Sequence, residues 1–323
     1  MKIFDPWSQV STLLPLTVDR CFQIGHKQNT SIFILSPKES SSFNTMIVSS
    51  AEEMNPSRRA TMEDCFVYFD AGEWNCNNPN LVYLGIYDGH GGRETVDYLS
   101  TSLHSNIATE LNQSEKTPLH TRIESAFLIT DVESHMAGIQ SSGATVAVSL
   151  VERVQNKVII HAANCGDARI VLSKGAKRLT VDHKADDASE RNRIEDSGGF
   201  VLRNRVLGIM AVSRSLGDHC MKQFVIGKPH ISSTEINLIE DEGKVNEDDC
   251  GEFIIIACDG LWDCLSDEEA VSLVKKFIIE GHSIDGHDIE DRKRNVAQFL
   301  ANAALDKGST GTYSRNRNML VLH

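Results

Sequence analysis

Two apolar stretches of the chain each end abruptly in a polar turn, and they are its clearest pattern. Residues 81–87 read Leu-Val-Tyr-Leu-Gly-Ile-Tyr and lead directly into Asp-Gly-His-Gly-Gly at 88–92. Residues 252–258, Glu-Phe-Ile-Ile-Ile-Ala-Cys, likewise lead into Asp-Gly at 259–260. A nearly continuous apolar run of this length is typical of a strand buried on both faces. The pattern therefore predicts two buried strands that each end in an Asp-Gly turn.

Elsewhere the apolar spacing changes between helix and strand. Apolar residues recur every three or four positions at Val96, Leu99, Leu103, Ile107 and Leu111, which predicts an amphipathic helix. Further helices are predicted at 117–137, at 186–196, after a capping box at 266–269 and at 289–306, and further strands at 65–69, 146–151, 157–163, 170–173 and 319–322. Strands and helices that are grouped separately, with hairpin-type connections, favour an α+β fold with antiparallel sheets.

Composition and charge narrow the class of protein. The 323 residues are 41% hydrophobic, and they show no repeat, linker or low-complexity tract, so one domain at 46–323 is expected. Residues 1–45 are interpreted as an N-terminal extension of unknown role that packs on this domain. The net charge of −13 disfavours nucleic acid and anionic membranes as partners. No apolar segment is long enough to span a bilayer, and the eight cysteines lack metal-type spacing. We expect a monomer in the cytoplasm or nucleus.

Six acidic residues lie at predicted strand ends and turns. They are Glu63, Asp64, Asp88, Asp167, Asp259 and Asp263. Each one alone could be a solvated turn residue, and Asp88 could simply cap the following helix. However, an Asp at the end of a buried strand costs free energy unless a cation or hydrogen-bond donors meet it. Carboxylates crowded in one cleft repel one another, so the set favours a site for hard divalent cations.

Eight short motifs follow one another along the chain. They are Arg59-Ala-Thr-Met-Glu-Asp64, Tyr87-Asp-Gly-His-Gly-Gly92, Ser142-Gly-Ala-Thr145, Asn164-Cys-Gly-Asp-Ala-Arg169, Asp182-His-Lys184, Gly198-Gly199, Ala211-Val-Ser-Arg-Ser-Leu-Gly-Asp218 and Ala257-Cys-Asp-Gly-Leu-Trp-Asp263. Together they resemble the motifs of the metal-dependent type 2C protein serine/threonine phosphatases, from about residue 55 to the C-terminus. The resemblance implies a four-layer sandwich, in which two central antiparallel sheets are flanked by helices.

The resemblance also implies a binuclear Mg²⁺ or Mn²⁺ site at one end of the sandwich. Asp88 would bridge the two metal ions, the carbonyl of Gly89 would bind one of them, and Asp259 would bind the other. Glu63 and Asp64 would hold metal-bound waters. A water activated between the ions would then hydrolyse phosphoserine or phosphothreonine in protein substrates.

Three further roles follow from the same resemblance. Arg59 would bind the substrate phosphate, for which its planar guanidinium is suited. His90 would protonate the leaving serine or threonine oxygen, a contribution of roughly 10²–10⁴ in rate. Asp167 and Asp263, with Asp259, resemble a weaker third-metal site. Cysteine-based phosphatase chemistry finds no support, because no cysteine lies in a glycine-rich loop that ends in arginine.

The chain departs from the family near its C-terminus. The family has an Asp-Asn pair before its last strand, and its Asp is a direct metal ligand. Here Asn318 matches, but Arg317 stands where the carboxylate is expected. Two hypotheses follow: a working phosphatase with a weakened metal site, or a pseudophosphatase that uses the fold to bind partners. Specificity in either case would come from the loops at 70–80, 186–205 and 219–250.

Arg317→Asp is expected to tighten Mn²⁺ binding and raise turnover, because it restores a carboxylate and removes a cation beside the metal site. We expect a decrease of about tenfold to a hundredfold in the Mn²⁺ dissociation constant, measured by isothermal titration calorimetry. Arg315→Asp makes the same charge change two residues away and is the matched control. Equal tightening in both variants would mean that residue 317 has no special place at the metal site.

Overall fold

The computed structural model describes residues 47–53, 62–113, 116–237, 251–280, 289–309 and 317–322. Its strands are β1 (Val48–Glu53), β2 (Cys65–Phe69), β3 (Leu81–His90), β4 (Gly143–Val154), β5 (Lys157–Cys165), β6 (Arg169–Leu172), β7 (Lys177–Arg178), β8 (Val201–Leu202), β9 (Arg205–Val206), β10 (Leu216–Gly217), β11 (His230–Asn237), β12 (Ile254–Ala257) and β13 (Arg317–Leu322). Its α-helices are α1 (Glu94–Leu111), α2 (Leu119–Met136), α3 (Ala188–Asp196), α4 (Asp259–Trp262), α5 (Asp267–Glu280) and α6 (Ile289–Ser309).

Two antiparallel sheets form the centre of the domain. The first sheet has the strand order β1-β13-β12-β6-β7, and the second has the order β11-β5-β4-β3-β2 with β10 paired to the start of β4. A separate two-stranded hairpin joins β8 to β9. Every pairing between these strands is antiparallel, as the grouping of strands and helices predicted.

Three apolar layers hold the sandwich together. The middle layer lies between the sheets and joins β3 and β4 residues such as Leu84 to β12 residues such as Ile256. A second layer packs α1 and α2 on the outer face of β3, β4 and β5, and a third packs α5 and α6 on β12. The order is therefore helices, sheet, sheet, helices, which is the predicted α+β four-layer sandwich.

The alternation of side chains along β3 determines which face of the sheet Asp88 lies on. Val82, Leu84 and Ile86 face the middle layer, whereas Tyr83 and Tyr87 face the helices. Because successive side chains of a strand point to opposite faces, the next residue on the middle-layer face is Asp88. The strand therefore directs an acid to the open end of the gap between the two sheets.

The structure also corrects parts of the sequence-based picture. The segment 48–53 forms β1, which the polar character of 44–59 did not predict, and 230–237, assigned to a loop at 219–250, forms β11. Both strands lie at the edges of their sheets and are mostly polar, since β1 reads Val-Ser-Ser-Ala-Glu-Glu and β11 reads His-Ile-Ser-Ser-Thr-Glu-Ile-Asn, so neither shows the apolar alternation that indicates a strand. The predicted capping box is confirmed, since the Glu269 amide donates to Ser266 Oγ at 3.1 Å and the Ser266 amide donates to Glu269 Oε2 at 2.9 Å.

The structure also bears on membrane-spanning segments and on the cysteines. Among the helices that the structure describes, none combines the length and the apolar character that crossing a bilayer requires. Two of the cysteines within the described ranges, Cys165 and Cys258, are buried. The extension at 1–45 and the phosphate-binding candidate Arg59 lie outside the described residues.

Leu99→Ala is expected to destabilise the domain by about 2–5 kcal/mol, because Leu99 is fully buried between α1 and the sheet and its truncation leaves a cavity. Val132→Ala removes a comparable apolar group from α2 at a position that is 59% exposed, and it is expected to cost less than about 0.5 kcal/mol. Urea unfolding followed by circular dichroism measures both. Similar losses for the two variants would contradict the assigned packing of α1.

Candidate active site

Three acids from different elements meet at one end of the sandwich. Asp88 lies near the end of β3, Asp259 follows β12 and begins α4, and Asp167 lies in the turn between β5 and β6. They line a single cavity of about 230 Å³ together with Gly89 and His90. The two carboxylates are therefore neighbours, as the sequence predicted, but the Asp-Gly pairs do not form turns, because β3 continues through Asp88 and Gly89 to His90 and Asp259-Gly260 begin α4.

The electrostatics of these acids indicate a site that needs positive charge. Burial, and then repulsion from Asp64, Asp259 and Asp167, holds the pKa of Asp88 well above its usual range. Burial and the neighbouring Asp259 raise the pKa of Asp167 to about 7. Carboxyl oxygens of Asp64 and Asp88 and the sulfur of Cys258 also lie within 4.8 Å of one another. Without cations, these acids share protons instead of ionising together.

The segment that carries Glu63 and Asp64 is fixed against the end of β3 and the residues that follow it. Arg93 Nη1 donates to the carbonyl oxygens of Met62 at 2.6 Å and Asp64 at 3.2 Å. A Cβ on residue 89 would lie 2.2 Å from the carbonyl oxygen of Glu63, so only glycine permits this approach. Gly89 thus keeps the Asp64 carboxylate close to that of Asp88.

Lys184 lies between the carboxylates of Asp167 and Asp263. Lys184 Nζ lies 3.3 Å from Asp263 Oδ1 and 3.9 Å from Asp167 Oδ2. Burial acts to lower the pKa of Lys184, but the two carboxylates outweigh it and the pKa is raised. Asp263 therefore belongs to the same acidic group, with an ammonium ion between it and Asp167.

The structure brings most of the predicted site residues together. The cavity is lined by Asp88, Gly89, His90, Asp167 and Asp259. Asp64 lies beside Asp88, the backbone carbonyl of Glu63 lies against Gly89, and Asp263 contacts Lys184. Arg59 lies outside the described residues, and for Arg317 only the backbone is described, where it pairs with Glu53 at the start of β13.

Four residues near the cavity were not predicted as site residues. They are Thr145, Lys184, Arg205 and Asp218. Thr145 lies in β4 opposite Asp88, Arg205 lines the cavity from β9, and Asp218 Oδ2 lies 2.7 Å from His90 Nε2. Thr145, Lys184 and Asp218 belong to motifs that the sequence displays, but linear spacing does not reveal which acid or imidazole each one meets. Arg205 lies outside those motifs, in a hairpin that the sequence did not indicate.

Known proteins resemble this chain over most of its length. The family model described as Protein phosphatase 2C matches residues 49–313. Protein phosphatase 2C homolog 1 of Saccharomyces cerevisiae is 32% identical, and the alignment covers 82% of this chain and 90% of the relative. Probable protein phosphatase 2C 69 of Arabidopsis thaliana is 36% identical over 78% of this chain, which spans 64% of that longer relative.

Solved structures share the fold at lower identity. A Caenorhabditis elegans sex determining protein superposes with a TM-score of 0.69 at 21% identity, covering 87% of this chain and 65% of that one. A phosphatase from a pathogenic strain of Toxoplasma gondii gives a TM-score of 0.65 at 19% identity, covering 91% and 95% of the two chains. These likenesses identify the four-layer arrangement as a known fold.

Asp167→Asn is expected to stabilise the metal-free protein above pH 7. The raised pKa means that the folded protein keeps a proton that the unfolded chain, with an ordinary Asp pKa near 3.9, releases. The resulting stability is complete below about pH 4 and is lost as the pH rises through about 7. We expect a gain of about 1–2 kcal/mol at pH 8 in EDTA, measured by urea unfolding, and none at pH 4.

The control for this prediction is Asp186→Asn, which removes an exposed carboxylate. It should leave the stability within about 0.5 kcal/mol at both pH values. A gain for Asp167→Asn that is as large at pH 4 as at pH 8 would contradict the raised pKa.

Proposed function

The chain belongs to the protein phosphatase 2C family of metal-dependent serine/threonine phosphatases, and we propose that it hydrolyses phosphoserine and phosphothreonine in proteins at a binuclear Mg²⁺ or Mn²⁺ centre. The observation that carries this proposal is the meeting of Asp88, Asp167 and Asp259 in one cavity with raised pKa values at Asp88 and Asp167. Acids held this close are stable as carboxylates only when cations accompany them.

The donor set fits hard divalent cations. Apart from the Cys258 sulfur, the groups available are carboxylates and one backbone carbonyl, and oxygen ligands of this kind suit Mg²⁺ and Mn²⁺. The carboxylates of Asp88 and Asp259 and the carbonyl of Gly89 would hold the ions, and Glu63 and Asp64 would hold their waters. When bound, such ions supply an activated water near neutral pH and neutralise the charge of the transition state.

A third cation site is proposed to be weaker. Its acids are Asp167 and Asp263, with Asp259, and the Lys184 ammonium lies within 4 Å of the first two. A cation that entered there would compete with a positive charge already present. This competition is the physical reason for expecting lower affinity than at Asp88.

The protein's own groups handle the substrate in this proposal. Arg59 binds the phosphate, as the family motif implies, and His90 donates a proton to the leaving oxygen from the edge of the cavity. Arg205, which lines the same cavity from the β8–β9 hairpin, adds a positive charge toward the substrate side. The partners would be phosphoproteins, because the net charge of −13 disfavours nucleic acid and anionic membranes. The protein would act as a monomer in the cytoplasm or nucleus.

The second candidate function is that of a pseudophosphatase, and Arg317 is the observation that favours it. A cation in place of the carboxylate ligand changes the local charge by two units beside the proposed ions. The retained Asp88, His90 and Asp259 favour the enzyme, because a protein released from catalysis has no reason to keep them. We therefore propose a working phosphatase with a weakened metal site.

Turnover of a phosphothreonine peptide across Mn²⁺ and Mg²⁺ titrations tests the proposal. We expect metal-dependent release of phosphate that falls by about 10³-fold in Asp88→Ala, because that variant removes the bridging ligand. The half-saturating metal concentration then reports the effect of Arg317. A control calorimetric titration with Mn²⁺ should show tighter binding to the wild type than to Asp88→Ala.

The opposite outcome identifies the alternative. No turnover at millimolar Mn²⁺ from a sample with the circular dichroism of a folded protein would overturn the phosphatase proposal. Binding of the intact phosphopeptide in the same sample would then support the pseudophosphatase.

A further inference from the structure

The imidazole of His90 is held by a carboxylate on another segment. Its Nε2 lies 2.7 Å from Oδ2 of Asp218, which follows β10 in the chain. The His90 side chain is 27% exposed, whereas that of Asp218 is 5% exposed. The ring therefore reaches the cavity, while the carboxylate that holds it is shielded from water.

Asp218 itself is fixed from several sides. Its amide donates to the Ser142 carbonyl at 2.9 Å, its own carbonyl accepts from the Met221 amide at 2.8 Å, and Ser215 Oγ donates to the same Oδ2 that faces His90. Its backbone is left-handed, with φ of 48°, a conformation that Asp tolerates better than most residues. The chain thus adopts an unfavourable conformation at the point that directs this carboxylate.

The surrounding strands leave room for the pair only because residue 143 is glycine. Gly143 begins β4 and lies opposite His90 in the register with β3. A Cβ at that position would lie 2.1 Å from Asp218 Oδ2 and 2.5 Å from His90 Nε2. The His90–Asp218 pair therefore rests directly on the backbone of β4, and any larger residue would separate the two groups or displace them.

We propose that Asp218 is a positioning residue, which orients the imidazole of His90 for proton transfer to the leaving group; the proposal rests on the proposed phosphatase function. A carboxylate oxygen accepts a hydrogen bond, so it keeps the proton on Nε2 and leaves Nδ1 as the nitrogen that serves the substrate. A carboxylate that fixes an imidazole in this way sets both its tautomer and its direction.

The proton balance of the step follows from this assignment. The oxygen of the attacking water forms a bond to phosphorus while the bond from phosphorus to the serine or threonine oxygen breaks. The proton on Nδ1 moves to that leaving oxygen, and the ring becomes neutral with Nε2–H still bonded to Asp218. A proton released by the attacking water returns to Nδ1 through the solvent.

Asp218→Asn tests the proposal because it preserves the size of the side chain but offers an amide where the carboxylate was. A phosphothreonine peptide has a poor leaving group, whereas p-nitrophenyl phosphate releases a stable phenolate that needs no proton. We expect kcat for the peptide to fall about 10–100-fold with KM nearly unchanged, and kcat for p-nitrophenyl phosphate to fall less than about threefold. His90→Gln should show the same selective loss.

Two controls separate positioning from a general loss of structure. Asp131→Asn disturbs the same segment, because Asp131 accepts from the Gly217 amide and from Lys222 Nζ but does not contact His90. It should affect both substrates equally. The double variant Asp218→Asn/His90→Gln should be no slower than His90→Gln alone, as expected when two residues act as one unit. An equal loss on both substrates in Asp218→Asn, or additive losses in the double variant, would overturn the proposal.

A measurement without turnover distinguishes this proposal from the phosphatase proposal. Nitrogen-15 NMR of the histidine rings, with His90 assigned from His90→Gln, should show Nε2 protonated in the wild type and an altered ring in Asp218→Asn. An inactive wild type with this Asp218-dependent signal would contradict the phosphatase function and support the positioning of His90. A His90 ring that is the same in both proteins would overturn the positioning role whatever the activity.

Discussion

Repulsion between buried carboxylates is the constraint on which the active end of this protein depends. Asp88 lies in a strand of one sheet and Asp259 follows a strand of the other, and they meet where the apolar layer between the sheets ends. Fully burying a side chain such as Ile86 or Ile256 stabilises a fold by about 1.5–3 kcal/mol, and the middle layer contains many of them. The packed layer can therefore hold acids together that would separate in a looser structure. Hydrophobic packing in the sandwich thus keeps several negatively charged groups close together.

The two walls of the cavity differ in how they are supported. One wall consists of strand ends that belong to the large cores. The other includes Arg205 and residues 210–212, next to the β8–β9 hairpin, which packs around its own small cluster of Ala185, Ile194, Val206 and Val225. The residues of this smaller cluster are distinct from those that pack under Asp88, so the two walls of the cavity rest on separate sets of apolar contacts.

Much of the fold and of the site was predictable from the sequence, for identifiable physical reasons. The buried strands β3 and β12 and the amphipathic α1 have strong apolar patterns, and the two Asp-Gly pairs mark the places where the strands of the two sheets meet. The edge strands β1 and β11 were missed because their sequences are mostly polar, whereas the edge strand β2 is apolar and was predicted. The bond between His90 and Asp218 spans 128 positions of the chain, and it is set by the register of β10 against β4, which no local pattern encodes.

The position of β13 has a consequence for how the protein is made. This strand lies between β1 and β12 in the first sheet, so an element at residues 317–322 joins one at 48–53. The ribosome completes β13 after every other described element, whereas the strands and helices of the second sheet have all emerged by residue 237. During synthesis, one half of the sandwich can assemble while the other still has a gap at its centre. The backbone edges of β1 and β12 that pair with β13 stay open until that strand is made.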